Sequence, residues 1–357
     1  MHNSIIRGDI IMRIQPLQAY IIMLLTITAL LFNTIPVHSI NNGNGLFIVV
    51  SFPNLISDIK QLITDHDRVV SVAPQGIDPH EYSLTPKNVE DLEKADIIIS
   101  LAHAPFEKRI HDLYVEGKLK GVLIEIPYIP GIIIRENPAT HMPDYHMIIY
   151  DPFNYIIFIK YVAQKMSELN PEYKTYYLDK AREVIRNVSD IIAKTPQLNM
   201  VGVADTPVTV YSVEWLGIDI KYLLVKEHGV QMTPQDLINV ENSMKNKTIQ
   251  VAIVTEPAVS QASKKLLELA NKYSIPIIHV PSPLSQQSIP AKLSVISKEV
   301  ISLSINKSFI NINTITPSSS VEESSIFWSK YYNDLVLFII GSIIVALTIY
   351  EIIRRNP

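Results

Sequence analysis

A histidine follows a predicted strand at the place where open α/β proteins bind ligands. The apolar residues Val69, Val70 and Val72 predict the strand, and the sequence Pro-Gln-Gly-Ile-Asp-Pro breaks it just before His80. The carboxyl ends of strands are the usual binding edge of such sheets. A single loop histidine is more often an ordinary surface residue. The residues around His80 must therefore decide whether it binds a ligand.

Regular elements are expected on both sides of this histidine. Thr85 is predicted to cap a helix that begins at Pro86 and buries Leu92, and a buried strand follows over 95–101. Further strands are predicted along the chain at 46–52, 121–127, 199–204, 218–224, 249–255 and 275–280. Strands that alternate with helices are typical of parallel, helix-covered sheets. The sequence therefore predicts an α/β fold.

A long amphipathic helix divides the predicted elements into two lobes. Its apolar residues recur at helical spacing over more than five turns, at Tyr173, Tyr177, Ala181, Val184, Val188 and Ile191. We expect each lobe to be a helix-covered, mostly parallel sheet. The predicted segments are a signal peptide or N-terminal anchor over 1–39, an N-terminal lobe over 44–165, a linking spine helix over 171–197, a C-terminal lobe over 198–308, a Ser/Thr/Asn-rich tether over 309–327 and a transmembrane helix over 335–353.

Both ends of the chain carry apolar segments. Arg7 and Arg13 precede an apolar stretch over about 19–35, which ends in Val-His-Ser and favours a cleaved signal peptide. A retained membrane helix is the alternative. The segment 335–353 is long enough to cross a bilayer, and Arg354 and Arg355 follow it. The positive-inside rule then predicts a cytoplasmic C-terminus and an extracytoplasmic, single-pass anchored body.

The composition excludes several classes of function. The formal net charge of -4 gives no basic field for nucleic acid, and the absence of cysteine excludes disulfides, thiolate metal sites and thiol catalysis. The sequence has no His-Glu-x-x-His motif, nucleophile elbow or catalytic carboxylate pair, so a metallohydrolase is disfavoured. We expect a monomer that is not an enzyme.

The residues around His80 form a long and specific motif. Pro-x-Gly-x-Asp-Pro-His-x-Tyr-x-x-Thr-Pro begins at Pro74, and Leu-x-x-Ala-Asp-Ile-Ile begins at Leu92. Together they resemble the solute-binding proteins of zinc and manganese ABC importers. The resemblance implies that His80 is the first metal ligand, that a rigid spine helix links the lobes, and that an ABC permease receives the ion.

A second ligand is implied further along the chain. In the resembling family it lies in Asp-Pro-His-x-Trp-x-Asp-Pro. Here Asp144-Tyr-His-Met-Ile-Ile-Tyr-Asp-Pro follows that pattern with one extra residue and with Ile148 in place of tryptophan. The resemblance implies His146 as the ligand, and His141 replaces it if the insertion shifts the register. Alternatively, His146 only donates a hydrogen bond to a carbonyl between the lobes.

The third and fourth ligand positions of the family are not matched. They fall at Thr206 and Ser282, which are neutral. Asp205, beside the first of these, and Glu256, in a Glu-Pro pair at a strand end, are the carboxylates that could complete the site. His279 is less favoured because it lies within a strand. The predicted metal ligands are therefore His80, His146, Asp205 and Glu256.

Two functions follow from these expectations. The first is a membrane-tethered extracytoplasmic protein that binds Zn(II) or Mn(II) and delivers it to an ABC permease. The second is a surface adhesion or interaction protein that keeps the fold with a degenerate metal site. His103 and His111 lie where zinc-specific members carry a His-rich loop, and we interpret them as solvated or packing residues.

Overall fold

The computed structural model describes residues 45–305 apart from Pro79 and His228. Its N-terminal lobe is built on a four-stranded parallel sheet of order β2-β1-β3-β4. The strands are β1 (Phe47–Val50), β2 (Arg68–Ser71), β3 (Ile97–Ser100) and β4 (Val122–Glu125). The helices of this lobe are α1 (Ile56–Ile59), α2 (Pro86–Lys94) and α3 (Pro105–Val115). Continuous apolar runs such as Phe-Ile-Val-Val form strands that are buried on both faces.

Local sequence signals set several helix boundaries. Helix α2 begins as predicted, because the Thr85 hydroxyl accepts a hydrogen bond from the Asn88 N–H at 3.2 Å and the Asn88 amide oxygen accepts one from the Thr85 N–H at 2.9 Å. The sequence also predicts a helix over 55–64, and the structure has the shorter helix α1 there. The N–H and hydroxyl of Thr64 both donate to Asp67, which favours a turn over further helix.

The C-terminal lobe repeats the architecture. Its parallel sheet has the order β12-β11-β7-β8. The strands are β7 (Met200–Ala204), β8 (Ile218–Leu223), β11 (Val251–Glu256) and β12 (Ile277–Pro281), and the helices are α6 (Val210–Glu214), α7 (Pro234–Lys245), α8 (Gln261–Tyr273) and α9 (Ile289–Ile305). The predicted α/β class with two mostly parallel lobes is thereby confirmed.

Two long helices run between the lobes. They are α4 (Pro152–Leu169) and α5 (Lys174–Lys194), and they pack against each other, while α5 also contacts α9. The buried residues of α5 are Tyr177, Ala181, Val184 and Val188, which are four of the positions in the sequence repeat. The periodicity therefore identified the face of the helix that the protein buries.

Two short antiparallel pairs complete the structure near the lobe junction. They are β5 (Arg135–Glu136) with β6 (Pro143–Asp144), and β9 (Val225–Glu227) with β10 (Val230–Gln231). Neither pair was predicted from the sequence, since strands of two or three residues carry little periodic signal.

The predicted terminal segments lie outside the described residues. This applies to the signal peptide or anchor over 1–39, to the tether over 309–327 and to the transmembrane helix over 335–353. Within the part of the chain that the structure describes, no helix has both the length and the apolar character needed to cross a membrane.

Candidate metal centre

A cavity of about 700 Å³ opens between the carboxyl ends of the two sheets. Loops that follow β2 and β3 form one wall, and loops that follow β7, β11 and β12 form the other. The polar residues on its walls include Asn54, Asp78, His80, His103, Glu107, Tyr145, His146, Thr206, Glu227, Ser282 and Ser285. This is the edge at which the sheet topology predicts ligand binding.

Three imidazoles meet in the cavity. The Nε2 atoms of His103 and His146 lie 3.1 Å apart, and their ring centroids are separated by 4.3 Å. The ring of His80 meets that of His103 edge to face at 5.3 Å between centroids. The two histidines predicted as ligands, His80 and His146, thus lie on either side of a third. The structure places His103, which we interpreted as a solvated or packing residue, on the cavity wall in contact with both rings.

A buried carboxylate fixes the orientation of His146. Oδ1 of Asp144 lies 2.7 Å from Nδ1 of His146 and also accepts a hydrogen bond from the His146 backbone N–H at 2.9 Å. Asp144 is fully buried, and the His146 side chain is 9% exposed. With Nδ1 held by a carboxylate, Nε2 is the ring nitrogen that faces His103 and Glu227. The alternative in which His146 bonds only a carbonyl does not describe this ring.

Glu227 brings a carboxylate to the same imidazole. Its Oε2 lies 3.5 Å from Nε2 of His146. Its Oε1 accepts a hydrogen bond at 3.0 Å from the side-chain amide of Asn137, which also donates to the Lys226 carbonyl at 2.9 Å. Asn137 is fully buried. One oxygen of Glu227 is therefore positioned by the protein, and the other faces the imidazoles.

A second buried carboxylate shapes the loop that carries His103. Glu107 accepts hydrogen bonds from the backbone N–H groups of Leu101, His103 and Ala104 and from the Ser100 hydroxyl, at 2.7 to 3.0 Å. Both carboxylate oxygens are thus used within the loop. We assign Glu107 to positioning His103, although it also lies on the cavity wall.

Hydrogen bonds fix the loop of His80 on both sides of the histidine. The backbone N–H of His80 donates to Asp78 Oδ1 at 2.9 Å. Two residues further on, the hydroxyl of Tyr82 donates to the Val72 carbonyl at 3.0 Å and lies 2.7 Å from the Asn88 amide oxygen. The side chain of His80 is partly buried at the cavity wall. The local fold therefore restricts where the ring can move.

The predicted carboxylates lie elsewhere. Asp205 is fully buried and accepts hydrogen bonds from the Thr255 N–H and hydroxyl and from the Ser263 hydroxyl, at 2.6 to 3.1 Å. Burial raises the pKa of Asp205, and these hydrogen bonds oppose that effect. Glu256 is exposed at the end of β11 and is not on the cavity wall. The structure brings neither carboxylate to the imidazoles.

The neutral residues at the two unmatched ligand positions do reach the cavity. Thr206 and Ser282 both line it, from the loops after β7 and β12. Both positions that the motif comparison singled out therefore lie at the cavity, and both carry neutral side chains. The carboxylate that lies near His146 is that of Glu227, on β9, a three-residue strand that the sequence pattern does not mark.

The donor spacing fits a first-row ion. Nitrogen donors at about 2.05 Å from a tetrahedral ion are about 3.3 Å apart. The separations of 3.1 Å between the two imidazole nitrogens and 3.5 Å between nitrogen and carboxylate oxygen lie on either side of that value. Among the described residues, no three His, Asp or Glu side chains already form a complete metal-binding group. His80 and Glu227 would have to move to complete one.

Comparisons with known proteins agree with this architecture. Residues 48–288, more than half of the chain, match the profile of the ZnuA family, described as zinc-uptake complex component A, periplasmic. A Thermotoga maritima protein for which metal binding is suggested is 24% identical over 260 residues, which are 64% of this chain and 90% of that protein. The metal ABC transporter substrate-binding lipoprotein SloC of Streptococcus mutans is 29% identical over 146 residues, 36% of this chain and 44% of that protein.

Solved structures share the fold at low identity. ZnuA has a TM-score of 0.58 and 16% identity, over 72% of this chain and 99% of that chain. The solute-binding protein FpvC from Pseudomonas aeruginosa, solved with Mn²⁺, has a TM-score of 0.58 and 15% identity, over 73% of this chain and 100% of that chain. The profile match, the two parallel lobes and the imidazoles between them lead to one conclusion: this chain belongs to the ZnuA family of periplasmic metal-uptake binding proteins.

Proposed function

We propose that this protein captures Zn(II) or Mn(II) in the cavity between its lobes and delivers the ion to an ABC permease. The observation that carries the proposal is the meeting of the His103 and His146 nitrogens at 3.1 Å, with a Glu227 oxygen 3.5 Å from the second nitrogen. Imidazole and carboxylate are the donors that these ions prefer.

The ligand set that we propose is His80, His103, His146 and Glu227. Three neutral imidazoles and one carboxylate suit Zn(II) better than Mn(II), which favours oxygen donors. Glu227 replaces Asp205 and Glu256 in this proposal, because Asp205 is held by Thr255 and Ser263 and Glu256 lies off the cavity wall.

Zinc titration of the purified full-length protein tests the proposal. We expect one zinc per chain, and we expect His146→Ala and Glu227→Gln to weaken binding in competition with a chelating dye. His111→Ala is the matched control, since His111 is an exposed histidine beside Glu125. If zinc binding is absent, or if the His111 variant loses as much affinity as the others, the proposed site is wrong.

Binding should depend on pH. Histidine side chains ordinarily take up a proton at about pH 6.5, and a protonated imidazole cannot coordinate an ion. Zinc loading is therefore expected to weaken below about pH 6. Titrations at pH 5, 6 and 7.5 measure this, and unchanged affinity at pH 5 would count against imidazole ligands.

A second candidate is a surface adhesion protein without metal transport. It is favoured by Thr206 and Ser282, the neutral residues at two ligand positions. A structural neighbour, the laminin-binding protein of Streptococcus agalactiae, is described as having both adhesin and metal-transporting activity, with a TM-score of 0.58 and 16% identity, over 72% of this chain and 100% of that chain. Binding to extracellular matrix proteins with no zinc-dependent rise in melting temperature would favour this candidate.

We further propose that the protein acts on the extracytoplasmic face of the membrane. Residues 335–353 would anchor it there, and 309–327 would let the lobes stand off the surface. Added protease should then digest the body in intact cells. The full chain should resist alkaline extraction from membranes, whereas a chain that ends before residue 309 should be released.

A further inference from the structure

A lysine is fully buried beside the proposed metal cavity. Lys292, on α9, donates from Nζ to the carbonyls of Pro283 and Ser285 at 2.7 and 2.9 Å. Its ammonium lies 5.8 Å from the centroid of the Tyr150 ring. Lysine is almost never fully buried without partners. Ser285 lines the cavity and Lys292 does not, so Lys292 bonds to the backbone of the cavity wall without facing the cavity.

A buried carboxylate of the other lobe meets the same helix. Asp58, on α1 of the N-terminal lobe, accepts hydrogen bonds at its Oδ1 from the Tyr155 hydroxyl at 2.7 Å and from the Ile289 N–H at 2.9 Å. Ile289 is the first residue of α9. A carboxylate at a helix N-terminus satisfies an N–H group that has no partner within the helix and complements the helix dipole. The N-terminal lobe thus caps a helix of the C-terminal lobe.

Four further hydrogen bonds join the same two regions. In the C-terminal lobe, the partner of each of these bonds lies within segment 281–289. The bonds run from Asn54 Nδ2 to the Pro283 carbonyl at 3.2 Å, from the Tyr150 hydroxyl to the Pro281 carbonyl at 2.7 Å, from Gln286 Nε2 to Gln75 Oε1 at 3.0 Å, and from the Ser57 hydroxyl to the Gln286 carbonyl. The segment is therefore held from the N-terminal lobe along its whole length.

The buried pair is matched in charge. Burial raises the pKa of Asp58 to about 6, against the Ile289 and Tyr155 hydrogen bonds and the charge of Lys292. Burial lowers the pKa of Lys292 to about 8, and the charge of Asp58 opposes this. The neighbouring titratable groups are the hydroxyls of Tyr150 and Tyr155, whose pKa values burial raises well above the usual range. Each group therefore favours the charged form of the other, against the effect of burial.

We propose that Asp58, which bonds to the start of α9 from the N-terminal lobe, and Lys292, which holds segment 281–289 from within its own lobe, together form an inter-lobe latch. This latch keeps the lobes closed at this edge and slows release of the bound ion. Ser282, Leu284 and Ser285 of the segment line the cavity, so a displaced segment changes its wall. Lys292 and Asp58 are positioning residues here, since neither lies on the cavity wall. The effect on ion release rests on the proposed function, whereas the closure of the lobes does not.

Lobe separation can be measured without metal. The chain has no cysteine, so Lys120→Cys and Lys264→Cys, one exposed position in each lobe, give a specific pair of spin labels. We expect Lys292→Met and Asp58→Asn to lengthen or broaden the distance distribution in metal-free full-length protein. Lys298→Met, an exposed lysine on the same helix, is the matched control and should leave it unchanged.

Zinc release gives the second readout. We expect zinc to leave both latch variants about tenfold faster when excess chelator is added, the size of effect typical for a lost hydrogen bond to a charged group. If Lys292→Met fails to fold, Ser57→Ala combined with Gln286→Ala removes exposed parts of the latch and should accelerate release about threefold. A wild-type protein that binds no zinc would overturn the proposed function alone. Unchanged label distances in folded variants would overturn the latch.

Discussion

Removing the carboxylate that orients His146 should weaken zinc binding without removing any ligand. Asp144 Oδ1 lies 2.7 Å from Nδ1 of the ring and accepts the backbone N–H of the same residue at 2.9 Å. Asp144→Asn keeps an oxygen able to accept both hydrogen bonds and loses only the charge. Asp144→Ala loses both hydrogen bonds, so the ring can rotate and present either nitrogen to the cavity.

The two Asp144 variants should lose different amounts of zinc affinity. Loss of a group that orients a metal-binding histidine typically costs about 10- to 100-fold in affinity. We place Asp144→Asn near the lower figure, because geometry is retained, and Asp144→Ala near the upper one. These correspond to about 1.4 and about 2.7 kcal/mol of binding free energy. The second oxygen of Asp144 has no hydrogen-bond partner among the described residues, so no further contact is lost.

Competition between the full-length protein and a zinc-chelating dye at pH 7.5 measures both affinities. Asp219→Asn is the matched control, because that side chain is 59% exposed on β8 and pairs only with Lys221 among the described residues. Melting temperatures without metal separate loss of affinity from loss of fold. Wild-type affinity in both Asp144 variants, alongside weakened binding in His146→Ala, would refute the orienting role.

Three other predictions concern residues that the sequence placed differently or left aside. His103→Ala should weaken zinc binding about 100-fold, since it removes one of two nitrogens that lie 3.1 Å apart. The dye competition described above measures the affinity, and a variant that binds zinc as tightly as the wild type would exclude His103 as a ligand. Asp205→Ala removes hydrogen bonds to Thr255 and Ser263, so it should lower the free energy of unfolding in urea by about 2 kcal/mol. Zinc affinity should stay unchanged, and a large loss of affinity would mean that Asp205 is a ligand after all. Burial raises the pKa of Glu214 to about 7, so the contribution of this side chain to stability is present below about pH 4.5 and is lost as the pH rises through 7. Glu214→Gln should therefore make the free energy of unfolding in urea depend less on pH between pH 5 and 8. An unchanged pH dependence would contradict this.

The helices and strands could be predicted well because their sequence patterns involve residues that are close together in the chain. The buried face of α5 followed from apolar residues at helical spacing, and the start of α2 followed from Thr85 and Pro86. The α1 helix was predicted too long: it ends at Ile59, where the N–H groups of Gln61 and Leu62 bond to carbonyls only three residues back. Beyond them, the side chain of Asp67 competes for the backbone N–H of Thr64. Such competition depends on a turn geometry that periodicity does not encode.

The site was harder to predict because its partners are distant in sequence. The bonds that hold Asp205 come from residues 50 and 58 positions away, so none of its neighbours in sequence indicates that the carboxylate is already hydrogen-bonded. His103 stands 43 positions from His146, and only the sheet topology brings their loops together. A signal for His103 existed: it follows β3 at the same edge of the sheet as His80.

The proposed ligand set gives the two lobes unequal roles. His80, His103 and His146 all belong to the N-terminal lobe, and the C-terminal lobe supplies Glu227 from a short hairpin, while its wall presents Thr206 and Ser282. An ion could therefore bind the imidazoles first, with the carboxylate joining last. Segment 281–289 is hydrogen-bonded to the N-terminal lobe, and the proposed latch would let the hairpin adjust while the lobes stay closed. Glu227→Gln should then speed zinc release more than it slows zinc capture, whereas equal changes in both rates would mean that the carboxylate takes part in the first encounter.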